Sequence, residues 1–190
     1  MFETNFQIQF LLGGMADSKE EYGRYCADKM RFLHHKYPQC FWSNPDQFFS
    51  DGPLVNIGSD FSMMPSMFEP GGIVQHEFFC AGTPVITFCT GGLKDTVFEF
   101  DTKTLKGNGF NFLSYDLEDF KRCMRRAIEC YKNTQAYEKL RENAAESVVE
   151  EEDVARGWNN EFYRMQNKIY IDKTRVEMEI KRFQENDDKI

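Results

Sequence analysis

The order of apolar and polar positions along the chain predicts strands that alternate with helices. Short apolar runs typical of buried strands occupy Phe6–Leu12, Asp60–Met64, Pro84–Phe88 and Gly107–Leu113. Apolar residues recur at helical spacing in five further segments, Tyr22–Tyr37, Gly71–Ala81, Leu117–Tyr131, Tyr137–Val148 and Val154–Ile169. The alternation predicts an α/β fold: a Rossmann-like parallel sheet with helices on both faces and a helical C-terminal segment.

The segments between these elements carry start, stop and loop signals. Ser18, followed three residues later by Glu21, predicts a capping box at the start of the first helix. Residues 38–53 contain three prolines and many polar residues, which is typical of a loop, and residues 54–58 fit a short helix or turn. The acidic run 150–153 suits the N-terminus of the last helix.

The domain organisation expected from these patterns is one domain over residues 1–170. The remainder, 171–190, is strongly charged with few apolar residues, which indicates a solvated helical extension or a frayed tail. A chain of 190 residues with 41% hydrophobic residues is long enough to bury a core.

Composition excludes some functions. A net charge of −8 argues against nucleic-acid binding, which needs a basic surface. Six cysteines without a CxxC pair indicate reduced thiols. The longest uncharged run, Phe78–Leu93, is broken by Pro84 and three glycines, so no membrane span is expected. Without a basic leader at the N-terminus, we expect a cytoplasmic protein.

Two glycine turns follow predicted strands, at the positions where open α/β sheets bind ligands. The first is Glu69-Pro70-Gly71-Gly72 and the second is Thr90-Gly91-Gly92-Leu93. Pro70 suits the first position of a helix, so the next amides, those of Gly71, Gly72 and Ile73, would be free to bind an anion. Thr90, Gly91 and Gly92 would offer a second set of amides from the facing loop.

Two glutamates flank the first turn. The carboxylates of Glu69 and Glu77 accept hydrogen bonds from hydroxyl groups, and a two-turn separation would place them on nearly the same helical face. Together with the amides they predict a site for a phosphorylated, hydroxyl-rich ligand. Taken singly, each feature has an ordinary alternative: a plain turn or a solvated glutamate. His34, His35 and His76 do not form a ligand set, and no metal site is expected.

The stretch FEPGGIVQHEFFCAGTPVI, followed by TGGLKDTV, resembles the donor-binding half of glycogen and starch synthases. These are retaining glycosyltransferases of the GT-B fold, which has two Rossmann-like halves. The resemblance spans roughly residues 6–170: QFLLGG resembles the second strand of that half, SDFSMMPS the strand before the catalytic turn, and residues 158–170 the closing helix.

The resemblance implies a role for each residue of the site. Glu69 would be catalytic, binding the glucosyl hydroxyls and orienting the donor. Gly71, Gly72 and Ile73 would hold sugar and diphosphate, Thr90, Gly91 and Gly92 would line the opposite side, and Glu77 would contact the ribose. Trp42 would stack on the base, or would be a packed core aromatic. The implied reaction transfers glucose from ADP- or UDP-glucose to the non-reducing end of an α-1,4-glucan, with retention and without a metal or other cofactor.

Some features depart from the family pattern. Bacterial and plant starch synthases often carry Cys at the position of Gly71 and often lack Glu at the position of Glu77. The resemblance therefore does not decide which base the donor nucleotide carries. The first strand of this half, with its Arg and Lys, and the half that binds the α-glucan acceptor are not expected in this chain. We therefore expect the isolated chain not to turn over.

The alternatives are another retaining GT-B transferase, of the sucrose or trehalose-phosphate type, or a non-catalytic module that binds a nucleotide sugar. The sheet edge that the missing strand would leave exposed also favours a homodimer.

Overall fold

The computed structural model describes residues 8–47 and 50–187, with side chains up to residue 181. The described residues fall into two compact units, which divide between Asp60 and Phe61. Each unit has its own small parallel sheet. The first residues of the predicted strand at Phe6, the aromatic pair Phe48 and Phe49, and the last three residues of the predicted tail lie outside the described ranges.

The first unit contains strands β1 and β2 and helices α1 and α2. In chain order these are β1 Phe10–Gly13, α1 Glu21–Lys36, β2 Phe41–Asn44 and α2 Gly52–Gly58. The strands are parallel, with Phe10 opposite Phe41. The short helix expected at residues 54–58 is confirmed, and β1 covers the last described residues of the predicted strand, from Phe10 on.

Two local predictions in this unit are wrong. The segment 38–53 is not wholly a loop, because it contains β2, whose burial alternates from buried Phe41 to exposed Trp42 to buried Ser43. The buried Ser43 hydroxyl is satisfied by donating to the Met30 carbonyl of α1 at 3.0 Å, a long-range contact that a four-residue pattern does not announce. The Ser18 capping box does not form either, since α1 begins after Glu20 without a side-chain cap.

The second unit holds the other three strands and five helices of the described chain. They are β3 Ser62–Met64, α3 Val74–Cys80, β4 Val85–Phe88, α4 Leu93–Thr96, β5 Gly109–Phe112, α5 Leu117–Lys132, α6 Thr134–Glu146 and α7 Glu151–Asp187. The strands are parallel in the order β3-β4-β5. The predicted α/β fold of parallel strands alternating with helices is confirmed, with the strands divided between two sheets.

The central strand β4 is covered on both faces, as the continuous apolar run predicted. Val85 and Thr87 point to one face and Ile86 to the other, and all three are at most 2% exposed. On the Val85 face, Phe79 of α3 and Leu93 of α4 join the core. Burying a side chain such as Phe79 stabilises the fold by roughly 1.5–3 kcal/mol.

The helices after β5 follow the sequence prediction closely because their signals are local. The Asp116 side chain caps α5 by accepting from the Asp119 amide at 2.8 Å. Asn133 ends α5, and its side chain caps α6 by accepting from the Ala136 amide at 3.2 Å. The apolar stripe of α5 is buried at Cys123, Met124, Ala127 and Cys130.

The C-terminal segment is one continuous helix, α7, whose first turn carries Glu151, Glu152 and Asp153, as expected from the helix dipole. The predicted domain boundary at 170/171 falls inside this helix. Beyond the boundary the chain is a helical extension through Asp187, one of the two alternatives expected for this segment. In the part of the chain that the structure describes, no helix is both long and apolar enough to span a membrane.

Candidate functional site

The loops that follow β3, β4 and β5 share one edge of the three-stranded sheet. Because the strands are parallel and paired in register, their carboxyl ends lie side by side. Residues 65–73 follow β3, residues 89–92 follow β4, and residues 113–116 follow β5. The two predicted glycine turns are therefore neighbours, as the sequence indicated.

The two turns touch through their backbones. The Gly92 amide donates to the Glu69 carbonyl at 3.0 Å. A Cβ at Gly91 would overlap the same Glu69 carbonyl, and a Cβ at Gly92 would overlap the Gly71 carbonyl. Gly91 also has a positive φ of 47°. The second turn needs its glycines because the first turn occupies the space where side chains would be.

The first turn presents unpaired amides. The N–H groups of Gly71, Gly72 and Ile73 have no hydrogen-bond acceptor among residues 8–47 and 50–187. A Cβ at Gly71 would meet nothing within 4 Å, so the space beside this residue is open. Gly72 has a φ of 71°, a left-handed conformation, and turns with such residues can present successive amides to an anion.

The helical explanation for these amides is wrong. Helix α3 begins at Val74, so Pro70 does not occupy a first helical position, and Gly71–Ile73 belong to a turn that precedes the helix. The positive φ of Gly72 breaks the helical path before Val74. The amides are exposed by the geometry of the turn, and a seven-residue helix behind them adds little.

The predicted placement of the two glutamates on one helical face is also wrong. Glu69 precedes the turn and only Glu77 lies in α3. The Glu69 side chain is partly buried and that of Glu77 is exposed. Neither carboxylate has an ion pair or side-chain hydrogen bond within the described ranges. Both are therefore free acceptors, and Glu69 precedes the open position at Gly71 by two residues.

The second turn uses most of its own polar groups. The Thr90 carbonyl accepts from the Leu93 amide at 3.0 Å and from the Lys94 amide at 3.3 Å. These bonds start α4, a one-turn helix that the sequence pattern did not predict. With the Gly92 amide bonded to Glu69, the Gly91 amide is the one in this turn without an acceptor among the described residues.

A buried glutamine, which the sequence analysis missed, links the two turns. The Gln75 amide nitrogen Nε2 donates to the Gly71 carbonyl at 3.4 Å and to the Thr96 hydroxyl at 3.2 Å. The Thr96 hydroxyl in turn donates to the Gly92 carbonyl at 2.9 Å. Gln75 and Phe79 are both 0% exposed and lie four residues apart. A polar residue on the buried stripe of α3 was the available signal.

The third loop at this edge already holds an anion of its own. The Asp119 carboxylate accepts from the Leu113 amide at 2.7 Å and from the Ser114 amide at 2.9 Å. These amides hold the pKa of Asp119 below its usual value, with Arg122 adding a smaller effect in the same direction. In the loop after β5, backbone amides at this edge thus bind a carboxylate of the same chain.

The remaining predicted site residue, Trp42, lies in β2 of the first unit. Its side chain is 38% exposed, and its strand partner is Leu11. A role in base stacking stays a prediction.

The structure also contains a shallow cavity of about 500 Å³ away from the glycine turns, between the loop at Leu105–Gly107 and α6. Its polar groups serve the fold: the Asn143 amide donates to the carbonyls of Leu105 and Gly107, and Lys139 pairs with Glu142. We therefore place the candidate site at the turns. Among the described residues, His, Cys, Asp and Glu side chains form no cluster of three that could hold a metal.

Comparison with known proteins identifies the family. Residues 43–147, more than half of the chain, match the family described as glycosyl transferases group 1. The chain belongs to this family. The match contains both glycine turns, Glu69, Glu77 and Gln75.

The chain is also similar in sequence to individual glycogen synthases. A glycogen synthase from Thermosipho melanesiensis is 32% identical over 166 residues, which is 87% of this chain and 32% of that protein. This glycosyltransferase chain thus spans about a third of the length of the relatives it matches.

Two solved structures share the fold. The catalytic domain of starch synthase IV from Arabidopsis thaliana, bound to ADP and acarbose, has a TM-score of 0.70 at 23% identity, over 82% of this chain and 32% of that one. Anabaena HepE in complex with UDP and glucose has a TM-score of 0.57 at 20% identity, over 76% of this chain and 36% of that one. They confirm the predicted fold, which matches that of GT-B enzymes.

Proposed function

We propose that the turns of the second unit form the donor site of a retaining glucosyltransferase of the glycogen and starch synthase type. The observation that carries this proposal is the open first turn, where three unpaired amides closely follow Glu69, whose carboxylate has no partner among the described residues. Amides suit a diphosphate, and a carboxylate suits sugar hydroxyls. The similarity to glycogen synthases supports glucose as the sugar.

In this proposal each residue acts on one part of ADP- or UDP-glucose. The amides of Gly71, Gly72 and Ile73 bind the diphosphate, Glu69 accepts from the glucosyl hydroxyls, and Glu77 accepts from the ribose. The other side of the site is lined by Thr90, Gly91 and Gly92. The free carboxylates and the open space at Gly71 are consistent with these roles.

The proposed reaction moves the glucosyl group with retention. The bond between C1 of glucose and the diphosphate oxygen breaks, and a bond forms between C1 and a hydroxyl oxygen of the α-1,4-glucan. The hydroxyl proton moves to the departing phosphate oxygen. Amides stabilise the charge of the diphosphate in part, and cations from the other portion of a full-length synthase would supply the rest. We expect binding of the donor nucleotide by this chain without turnover.

The same proposal places the protein in the cytoplasm, where thiols stay reduced. Cys26, Cys40, Cys80, Cys89, Cys123 and Cys130 are free thiols.

The proposal is tested by calorimetric titration of the chain with ADP and with UDP. We expect weak, saturable binding of at least one nucleotide. Gly71→Leu should abolish it, because the side chain would enter the open space beside the amides. Gly157→Leu in α7 is the matched control, since a Cβ at Gly157 also meets nothing within 4 Å. No binding by the unaltered chain, or equal binding by the Gly71→Leu variant, would overturn the proposal.

A further inference from the structure

We propose that Gln75 is a positioning residue that couples the two glycine turns and sets the geometry of the anion-binding amides. The proposal about nucleotide affinity rests on the proposed function above, whereas the coupling itself is a property of the unliganded chain. Gln75 is fully buried and lies on the face of α3 that carries Phe79 into the core. It is out of reach of a ligand in solution, so it acts through the backbone.

A path of hydrogen bonds through Gln75 connects the two turns. One amide nitrogen, Gln75 Nε2, donates both to the carbonyl of Gly71 in the first turn and to the hydroxyl of Thr96 in α4. The Thr96 hydroxyl continues the path by donating to the carbonyl of Gly92 in the second turn. The side chains of Gln75 and Thr96 therefore tie the two turns together from below, on the buried side of the loops.

This path of hydrogen bonds adds to direct backbone contact between the turns. The Gly92 amide already donates to Glu69, and Gly91 and Gly92 pack against backbone atoms of the first turn. Those contacts fix how close the turns approach. The link through Gln75 fixes the Gly71 carbonyl, and rotation of that peptide plane also moves the neighbouring amide of Gly72. The orientation of the Gly72 amide, which is proposed to bind the diphosphate, thus depends on Gln75.

Burial of the Gln75 side chain is unfavourable for stability. The oxygen Gln75 Oε1 is buried without a hydrogen-bond partner among the described residues. A buried unpaired acceptor is destabilising, and an apolar residue of the same size would avoid it. The space at Gly72 is also taken by this amide group, since a Cβ there would lie 2.5 Å from Oε1. A glutamine at this position is therefore poorly explained by stability and well explained by its two donated bonds.

The test compares Gln75→Met with the unaltered chain. Methionine keeps the length of the side chain and removes both donated bonds and the unpaired oxygen. We expect ADP affinity to fall about tenfold, the effect of losing bonds of ordinary strength, while resistance to urea is unchanged or higher. Equal ADP affinity of the two proteins would overturn the inference while leaving the proposed donor site intact.

Threonine variants supply the matched control. Thr96→Val removes the hydroxyl that joins Gln75 to Gly92, and Thr87→Val removes a buried hydroxyl that donates to the Met64 carbonyl instead. We expect Thr96→Val to weaken ADP binding several-fold, Thr96→Ser to restore it, and Thr87→Val to leave it within twofold. If Thr87→Val weakens binding as much as Thr96→Val, a general loss of packing explains the data and the inference is wrong.

A measurement without ligand separates the inference from the proposed function. In two-dimensional NMR spectra of labelled chain, Gln75→Met should shift the amide signals of both turns together, including Gly91 and Gly92. Thr87→Val should leave those signals in place. If Gln75→Met shifts the first turn alone, the coupling is absent, whatever the nucleotide titration gives.

Discussion

The two glycine turns of the second unit look alike in sequence and differ in what their glycines do. In the first turn, the space at Gly71 is open and three neighbouring amides are unpaired among the described residues. In the second turn, a Cβ at Gly91 or Gly92 would overlap the backbone of the first. The first turn has a glycine beside open space, whereas the second has glycines where a neighbouring chain segment packs. The dipeptide Gly-Gly therefore has a different structural role in each turn, and only the surrounding residues distinguish the two roles.

The largest effect should come from Gly92→Ala. The added methyl group would overlap the Gly71 carbonyl, and backbone cannot yield as a flexible side chain does. We expect a loss of ~3 kcal/mol in the free energy of unfolding, from overpacking and separation of the turns. Urea denaturation measures this loss. A Gly92→Ala protein as stable as the unaltered chain would mean that the turns do not touch as described.

An intermediate effect is expected for Gly72→Ala in the first turn. Its φ of 71° disfavours an alanine by roughly 1–2 kcal/mol. The neighbour that the Cβ would meet is the Gln75 side chain, which can shift. Thermal unfolding should place this variant between Gly92→Ala and the unaltered chain. Stability equal to that of Gly92→Ala would show that the buried amide cannot move.

A pH-dependent effect should appear for Asp119→Asn in the loop after β5. There the loop amides hold a carboxylate of the chain, and the pKa of Asp119 is lowered in the folded state. Its stabilising contribution is present above the ordinary carboxyl pKa of about 4 and is lost as pH falls through the lower folded value.

Unfolding free energies of both proteins, measured from neutral to acidic pH, check this. The variant should be less stable at neutral pH, and the difference should shrink in acid. A difference that is constant with pH would mean that the lost interaction is not with the charged carboxylate.

The smallest effect on stability is expected for Gly71→Ala. No atom lies within 4 Å of the added methyl group, so the free energy of unfolding should change by less than ~0.5 kcal/mol. The same change should weaken ADP binding, because it fills space beside the unpaired amides. Calorimetry and urea denaturation on one preparation separate the two effects. A large loss of stability would contradict the description of Gly71 as open.

Among the elements, those with local signals were predicted best. Helices α5 and α6 carry their caps, Asp116 and Asn133, in their own sequence, and the buried run around Val85 is recognisable as a strand. The elements that were missed depend on distant partners. Strand β2 is held by Met30 and His34 of α1, and α4 is a single turn set by the Thr90 carbonyl. Such contacts leave no periodic pattern in the sequence.

For the site, the sequence by itself determined the chemical types and the family. Glu69, the glycines of both turns and their positions after strands were sufficient to indicate a site for a phosphorylated, hydroxyl-rich ligand, and the family match contains all of them. The tertiary structure decided which amides are unpaired, that Pro70 does not start a helix, and that the Gly92 amide is already bonded to Glu69. It also placed Gln75 beneath the turns. The physical reason is that residue type sets which bonds a group can form, whereas the packing of segments far apart in sequence sets which of those bonds remain open.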